Sequence, residues 1–296
     1  MGFESLHEGL KLLRYPVIWI AGIVSAIFAF MTMWFSMTET LSFYGDKVLM
    51  MWLVAMPFFI AATYGSIKSG NYSPAAYFRE GLRYYFRVLL PAVFISFAAF
   101  LFIFIVMIPG SLAGSSGQML SVISGFIFFI PCLILVFFFD TAAVFSDLKV
   151  FESIKKSITG VMLKPFNVAG FFLVLILLSL VLVFGLAIVW SGLLADELMP
   201  LTEMSAEEMS EYSADPEMLF SMLGDTGIMV TSLIYSVGSM LIISVMLPFK
   251  AVFYRKYLEG AEIPLVISPD SPDIAAEEGI AGQGEYDEKG RWYKYS

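Results

Sequence analysis

Six long apolar runs dominate this sequence, and they constrain the fold more than any other feature. Each run contains about 20 mainly apolar residues, the length that a helix needs to cross the hydrocarbon core of a bilayer. None shows the apolar–polar alternation of membrane barrel strands, so helices must satisfy the backbone polar groups. The predicted spans are residues 16–37, 48–67, 88–108, 119–139, 165–194 and 227–249.

The overall composition agrees with a membrane environment. Apolar residues make up 59% of the chain and charged residues 15%, against about 45–50% and about 25% in soluble domains. The single cysteine, Cys132, and the single histidine, His7, exclude a disulfide framework and a zinc or iron–sulfur site. We therefore predict no metal and no cofactor. The N-terminal segment differs from a cleaved signal peptide, because its apolar run is too long.

Lysine and arginine are distributed unequally between the two ends of the predicted spans. Thirteen of them precede span one, lie between spans two and three or four and five, or lie just after span six at Lys250, Arg255 and Lys256, whereas the opposite loops contain only Lys47. Because positively charged loops stay in the cytoplasm, we predict a multi-pass protein of the cell membrane with both termini cytoplasmic. Trp34, Trp52 and Trp190 fall at the predicted outer ends, where indole rings favour the headgroup region.

One phrase occurs twice, as "FESLHEGLKLLRYP" from Phe3 and as "FESIKKSITGVMLKP" from Phe151. A charged segment and then a proline precede spans one, three and five, at Pro16, Pro91 and Pro165, with spacings of 75 and 74 residues. This period predicts an internal repeat of two spans, in which each proline marks a bend into the membrane. Since each unit crosses twice, the fold class is an all-α polytopic protein with three parallel two-span repeats.

The three charged segments have an apolar stripe at helical spacing, formed in the first by Phe3, Leu6, Leu10 and Leu13. Ser73 and Asp147 are candidate N-caps of the second and third segments. We predict cytoplasmic amphipathic helices that lie in the interface, with basic residues toward anionic lipid headgroups. The alternative is that these helices pack on one another in the cytoplasm. Membrane lipids are therefore the predicted partners, and nucleic acid is not.

A family resemblance follows from these motifs. The apolar span ending in "FFFDTAAVFSDL", then "VFESIKKSI", then a proline and another span, resembles a group of uncharacterised archaeal and bacterial six-helix membrane proteins. That group is related to the membrane domain attached to some glycerophosphodiester phosphodiesterases. The resemblance covers roughly residues 1–260 and implies a fold. The soluble phosphodiesterase domain, with its metal-binding carboxylates and histidines, has no counterpart in this sequence, so its chemistry is not carried over.

Two charged residues occupy equivalent positions in the loosely similar even-numbered spans, Asp140 in span four and Lys250 in span six. Ionisable groups at membrane depth are costly unless they are paired, and one hypothesis is an intramembrane ion pair between these two side chains. The alternative is that each reaches the cytoplasmic interface independently, with Asp140 meeting Lys155 or Lys156. The sequence favours this alternative, because both residues lie within about a turn of the predicted boundary.

Two acidic segments flank the last span. The outer loop 195–225 contains nine carboxylates and no basic residue, and these would suit Ca²⁺ or Mg²⁺ only weakly, since no EF-hand spacing is present. A solvated loop with a Ser205/Glu208 capping box is the better interpretation. Residues 261–296 are predicted to be a disordered, acidic cytoplasmic tail. Its last twelve residues could form a small hairpin or a partner-binding motif, although a flexible end is favoured.

Three classes of function are consistent with the sequence. The first is a non-enzymatic membrane module that organises lipids or partner proteins, because the basic lipid-facing surface is the most developed feature. The second is a transporter or channel component, which requires a polar cavity at the midplane. The third is a lipid-modifying enzyme, for which only Asp140 and Asp147 are candidates. No catalytic motif occurs in the sequence, so we predict no enzyme activity.

Overall fold

The computed structural model describes residues 2–38, 40–112, 114–203, 216–261, 284–286 and 292–294, with the backbone alone for 107, 109–124, 200–203, 216–223 and the two short strands. The chain divides into two units, Met1–Ala261 and Glu262–Ser296. The helices are α1 Gly2–Leu12, a 3₁₀ turn Pro16–Trp19, α2 Ile20–Met37, α3 Ser42–Ser69, α4 Pro74–Leu112, α5 Gly114–Val136, α6 Phe139–Phe145, α7 Val150–Leu163, α8 Pro165–Leu193, α9 Ala195–Glu203 and α10 Pro216–Phe253, with a π-turn at Tyr254–Leu258.

Six helical segments of the described residues are long and apolar enough to cross a membrane, which confirms the predicted six-span, multi-pass architecture. The segments overlap all six predicted spans but extend further at several ends. They are Pro16–Met37, Ser42–Ser69, Pro74–Val106, Gly125–Phe145, Pro165–Leu193 and Gly224–Leu258.

Small residues allow α2 to pack closely on α10. A Cβ atom at Gly22 would lie 2.7 Å from the carbonyl oxygen of Met240 and would overlap the hydroxyl of Ser244. Hydrogen bonds add to this contact, with 2.7 Å between the hydroxyls of Ser25 and Ser239. Close approach through small residues, supported by interhelical hydrogen bonds, is the usual way in which helices associate in lipid. The α2–α10 contact is therefore the tight seam of the bundle.

A second close contact joins α3 to α4, and α4 differs from the sequence prediction. A Cβ atom at Gly65 would lie 2.5 Å from the Cβ of Glu80, and one at Gly81 would lie 2.9 Å from the ring of Phe58. The charged segment and span three, which the sequence prediction separates at Pro91, form one helix, because α4 continues from Pro74 to Leu112. Proline inside a helix removes one hydrogen bond and crowds the preceding turn, but the chain is helical on both sides of Pro91.

The core of the first unit is concentrated at one end of the bundle, where the chain carries most of its basic residues. Lys68 and Arg87 both pair with Asp147 there, and Lys256 pairs with Glu4. We call this end the basic end and the other the opposite end. The buried core at the basic end is aromatic, and Tyr64, Phe138, Phe145, Phe171, Phe249, Phe253 and Tyr254 belong to it.

Helices α1 and α7 cover this core through small residues. The buried positions are Gly2, Ser5 and Gly9 in α1, and Ser153, Ser157, Gly160 and Val161 in α7. A Cβ at Gly9 would lie 2.9 Å from the backbone of Phe249, so the helix backbone itself rests on α10. The predicted cap Ser73 does accept a hydrogen bond from the amide of Ala76. Asp147, by contrast, does not cap α7, whose N-cap is Lys149.

The second unit contains two short strands, β1 Gly284–Tyr286 and β2 Trp292–Lys294. They pair antiparallel, with Glu285 opposite Tyr293 and Tyr286 opposite Trp292. The sequence favoured a flexible end here, but aromatic residues have a high strand propensity and form stabilising cross-strand pairs. The prediction of a disordered tail for the rest of 261–296 lies outside the described residues, as does the capping box predicted at Ser205 and Glu208.

Candidate functional site

The strongest candidate site is a buried ion pair between α6 and α10. The ammonium nitrogen of Lys250 lies 2.8 Å from each carboxylate oxygen of Asp140. Only 6% of Asp140 and 4% of Lys250 are exposed. The structure thus brings together the two side chains that the sequence placed at equivalent positions.

Three further contacts fix the pair. The carboxylate of Asp140 accepts a 2.7 Å hydrogen bond from the amide of Thr141 and a longer one, of 3.4 Å, from the hydroxyl of Tyr64. The ammonium of Lys250 lies 4.0 Å from the centre of the Phe137 ring, a favourable position for a cation on an aromatic face. Both charges are therefore surrounded by groups that compensate for their removal from water.

A break between α5 and α6 gives Asp140 this position. The chain turns at Phe137 and Phe138, and the amide of Phe138 donates to the hydroxyl of Ser157 in α7. The same hydroxyl donates to the carbonyl of Leu135. Ser157 thereby satisfies two backbone groups that the break leaves without helical partners.

The independent arrangement that the sequence favoured is not the one observed. The apolar segments containing Asp140 and Lys250 extend to Phe145 and Leu258, so both charges lie further from the ends of these segments than the predicted boundaries implied. Lys156, a suggested partner of Asp140, instead donates to the carbonyl of Ala261 at 2.9 Å. Neither charged group reaches outward past the core.

A second charged cluster, centred on Asp147, lies at the surface of the basic end. Its carboxylate accepts hydrogen bonds from Lys68, from the hydroxyl of Tyr84 at 2.9 Å and from Arg87 at 3.1 Å. Arg87 also donates to the carbonyl oxygen of Asp147 at 2.9 Å. The cluster joins two helices to the segment after α6: Lys68 belongs to α3, Tyr84 and Arg87 belong to α4, and Asp147 follows α6.

Asp147 combines an uncommon backbone with a perturbed carboxylate. Its φ of 53° lies in the left-handed region, which aspartate tolerates better than most residues. Partial burial alone would raise the pKa of its carboxyl, but the hydrogen bonds from Lys68 and Tyr84 and the charges of Lys68 and Arg87 lower that pKa below its usual value. The charged form of Asp147 is therefore the one that the fold stabilises.

Replacing Asp147 with asparagine should lower the free energy of unfolding at pH 7 by less than about 1 kcal/mol, because solvent screens exposed ion pairs. Asparagine tolerates the same backbone, so the change isolates the charge. The pKa of Asp147 is lower in the folded state than in the unfolded state. The charge of Asp147 therefore adds to the free energy of unfolding above the unfolded-state pKa, and this addition is lost as the pH falls through the folded-state pKa. The difference between the two proteins should be constant above about pH 5, begin to shrink near the unfolded-state pKa of about 4, and disappear only below the lowered folded-state pKa of Asp147.

Thermal unfolding followed by intrinsic fluorescence, from pH 7 down to a pH below the folded-state pKa of Asp147, would measure this difference. Asp46→Asn changes an exposed carboxylate at the opposite end and serves as the control. An Asp147→Asn deficit that persists unchanged at the lowest pH would contradict an electrostatic role.

Sequence reasoning identified Asp140 and Lys250 but missed the cluster at Asp147. Lys68 and Tyr84 are separated from Asp147 by 79 and 63 residues, and no spacing in the sequence relates them. Among the residues that the structure describes, no three His, Cys, Asp or Glu side chains come together to hold a metal ion. The question of a cation at the acidic loop 195–225 falls partly outside those residues.

Comparisons with known proteins do not assign a family. No family model matches the chain. No curated protein and no solved structure matches it either. The resemblance to the membrane domain of glycerophosphodiester phosphodiesterases therefore stays a prediction from the sequence.

Proposed function

We propose that this protein is a non-enzymatic module of the cell membrane that organises anionic lipids at its cytoplasmic face. In this proposal the basic end is cytoplasmic, both termini lie on that side, and the chain is built from three parallel two-span repeats. The observation that carries the proposal is an exposed phenylalanine at corresponding positions of the three predicted repeats, each on a segment that also carries exposed basic residues. The asymmetry of lysine and arginine supports the orientation.

The three phenylalanines are Phe3, Phe78 and Phe151. Their exposed fractions are 66%, 50% and 66%, and the sequence offsets between them, 75 and 73 residues, follow the predicted repeat. Burial follows the same period, because the residues two and six positions after each phenylalanine are buried. These residues are Ser5 and Gly9, Glu80 and Tyr84, and Ser153 and Ser157. Such a pattern supports helices that expose one aromatic ring to lipid while packing on the core.

Exposed basic side chains accompany these rings. Lys11 in α1, Arg79 and Arg83 in α4, and Lys155 and Lys164 at α7 are all exposed at the basic end. A lysine or arginine near an anionic membrane surface contributes about 1 kcal/mol of attraction. The combination of apolar rings with nearby cations is typical of surfaces that bind anionic headgroups.

The packed core favours this function over a transporter. Aromatic side chains fill the basic end, where the rings of Phe171 and Phe249 lie 4.5 Å apart and those of Phe138 and Phe253 lie 5.6 Å apart. The charges at membrane depth neutralise each other as the pair Asp140–Lys250. This arrangement supports a rigid scaffold for the interfacial helices. The hairpin in 284–294 is a candidate site for a protein partner.

A fluorescence experiment tests the lipid preference. In a protein that keeps only Trp19, we expect brominated phosphatidylglycerol to quench fluorescence more strongly than brominated phosphatidylcholine at the same mole fraction. Trp19 is a suitable reporter because its indole nitrogen donates to the carbonyl of Leu13, close to α1. Changing Lys11, Lys155 and Lys164 to glutamine should reduce the preference several-fold, since each cation contributes about 1 kcal/mol.

Lys47→Gln is the matched control, because Lys47 is exposed at the opposite end and its loss should leave the preference of Trp19 unchanged. Equal quenching by the two lipids in the unmodified charge background would overturn the proposal. So would a preference that survives the three glutamine substitutions.

A further inference from the structure

An apolar crevice lies between α8 and α10, in the half of the bundle toward the opposite end. It has a volume of about 530 Å³ and is also lined by α2 and α3. Ala187 and Trp190 contribute from α8, Trp52 from α3, and Thr231 and Ser239 from α10. We call this space the α8–α10 crevice.

The crevice exists because α8 contacts the bundle mainly near its start. The buried residues of α8 are Val168, Phe171 and Val174, all in its first third. Further along, Val183 and Ile188 are 56% and 74% exposed. The indole nitrogen of Trp190 donates to the hydroxyl of Thr231 at 2.9 Å and closes the crevice at the end of α8. The space between is left open toward the surrounding medium.

The lining is poorly suited to water. A buried water needs two to four polar partners, but apart from Tyr235 the polar side chains of the crevice are engaged with one another. Ser25 and Ser239 share a hydrogen bond of 2.7 Å, the indole nitrogen of Trp52 lies 3.3 Å from the hydroxyl of Ser25, and Trp190 is bonded to Thr231. The rest of the described lining is mainly aliphatic, so hydrocarbon is the better occupant.

The dimensions of the crevice favour a single acyl chain over a helix as its occupant. The lining on α10 runs from Thr231 to Ile243, which corresponds to about 18 Å of helix and compares with about 15 Å for the hydrocarbon of one leaflet. A helix of that length and about 10 Å in diameter occupies on the order of 1,400 Å³, more than the crevice offers. The observed volume lies within the range of about 300–1,000 Å³ for small-molecule sites.

We propose that the α8–α10 crevice binds one acyl chain of a phospholipid from the leaflet at the opposite end. The chain lies parallel to α10, and the lipid headgroup is located near Trp190 and Thr231, where the crevice meets the interface. The binding energy comes from apolar contact along Ala187, Val183 and Ile243. This inference deepens the proposed role in lipid organisation, and rests on it only in requiring that the six spans lie in a bilayer.

The test uses the full chain in bilayers of phosphatidylcholine with brominated acyl chains. Trp52 and Trp190 line the crevice and are kept as reporters, while Trp19, Trp34 and Trp292 are replaced by phenylalanine. We expect strong quenching in this protein. Ala187→Phe places a ring in the crevice from an exposed position of α8 and should reduce the quenching by at least about half, because contact with the acyl chain is lost. Val183→Phe, one turn earlier, should act in the same way.

Gly185→Phe is the matched control. Nothing lies within 4 Å of a Cβ at Gly185, and this position lies between the two crevice residues on another face of α8, so its quenching should equal that of the parent protein. Equal quenching in all four proteins would overturn the acyl-chain site. If the acyl-chain site is absent, the preference for anionic lipid measured at Trp19 is still expected. Conversely, loss of that preference would not alter the quenching of Trp52 and Trp190.

Discussion

Replacing Lys250 with methionine is expected to destabilise the protein by about 3–5 kcal/mol, because it leaves the carboxylate of Asp140 buried without its cation. Methionine retains most of the apolar volume of the lysine stem, so the effect reports the lost charge more than a cavity. The pair lies 2.8 Å apart and is almost fully buried. The free energy of unfolding, measured by titration with denaturing detergent, would show the loss.

The double variant Asp140→Asn with Lys250→Met should recover much of this stability. Asparagine keeps an oxygen that can accept from the amide of Thr141 and removes the unpaired charge. Lys164→Met is the control, since Lys164 is exposed at the basic end, and it should change stability by less than about 0.5 kcal/mol. A double variant as unstable as Lys250→Met would contradict the assignment of the effect to an unpaired carboxylate.

The six spans were predictable because hydrophobicity is a local property of about 20 residues. Their ends were less predictable. Asp140 interrupts the apolar run, and the sequence argument placed the boundary of span four at residue 139, whereas the span continues to Phe145. The helices that cover this end supply the reason: α7 packs against the break at Phe138 through Ser157. Residues beyond Asp140 are buried by protein, which a hydropathy pattern does not reveal.

The partner of Asp140 was only half predictable. The loose similarity of the even-numbered spans placed Lys250 at an equivalent position, and a repeat brings equivalent positions near a common axis. The choice between an ion pair and two independent side chains depended on depth, and depth depended on how α6 and α7 cover the end of the bundle. The Asp147 cluster was beyond the sequence altogether, since it depends on a left-handed residue between α6 and α7.

The depth of the charges also connects stability to the proposed function. The pair Asp140–Lys250 joins α6 to α10, the cluster at Asp147 joins α3, α4 and the segment after α6, and Lys256 joins α10 to α1 through Glu4 and Glu8. Of the three proposed interfacial segments, α1 and the start of α4 are therefore tied by ion pairs to the ends of even-numbered spans, and α7 is tied to span four by the hydrogen bonds of Ser157. A lipid surface made from separate helices requires such ties to keep its cations at fixed spacings.

Gly22→Ala is expected to destabilise the protein by about 1–3 kcal/mol, as overpacking does in other tightly packed interiors. The added methyl group would overlap the hydroxyl of Ser244 and lie 2.7 Å from the carbonyl oxygen of Met240. A side chain can move away, but the Met240 carbonyl belongs to the backbone of α10. The two helices must therefore separate, which also lengthens the hydrogen bond between Ser25 and Ser239.

Gly185→Ala separates this effect from helix propensity. Alanine favours the helix over glycine by up to about 1 kcal/mol, and Gly185 has open space around its Cβ position, so this control should be neutral or slightly stabilising. Adding Ser244→Ala to Gly22→Ala removes the hydroxyl but not the carbonyl of Met240, and it should restore only part of the loss. Helices α2 and α10 belong to the first and third predicted repeats. An unchanged stability in Gly22→Ala would mean that the contact between these repeats tolerates separation. The close packing of α2 on α10 would then not be the contact that stabilises the bundle.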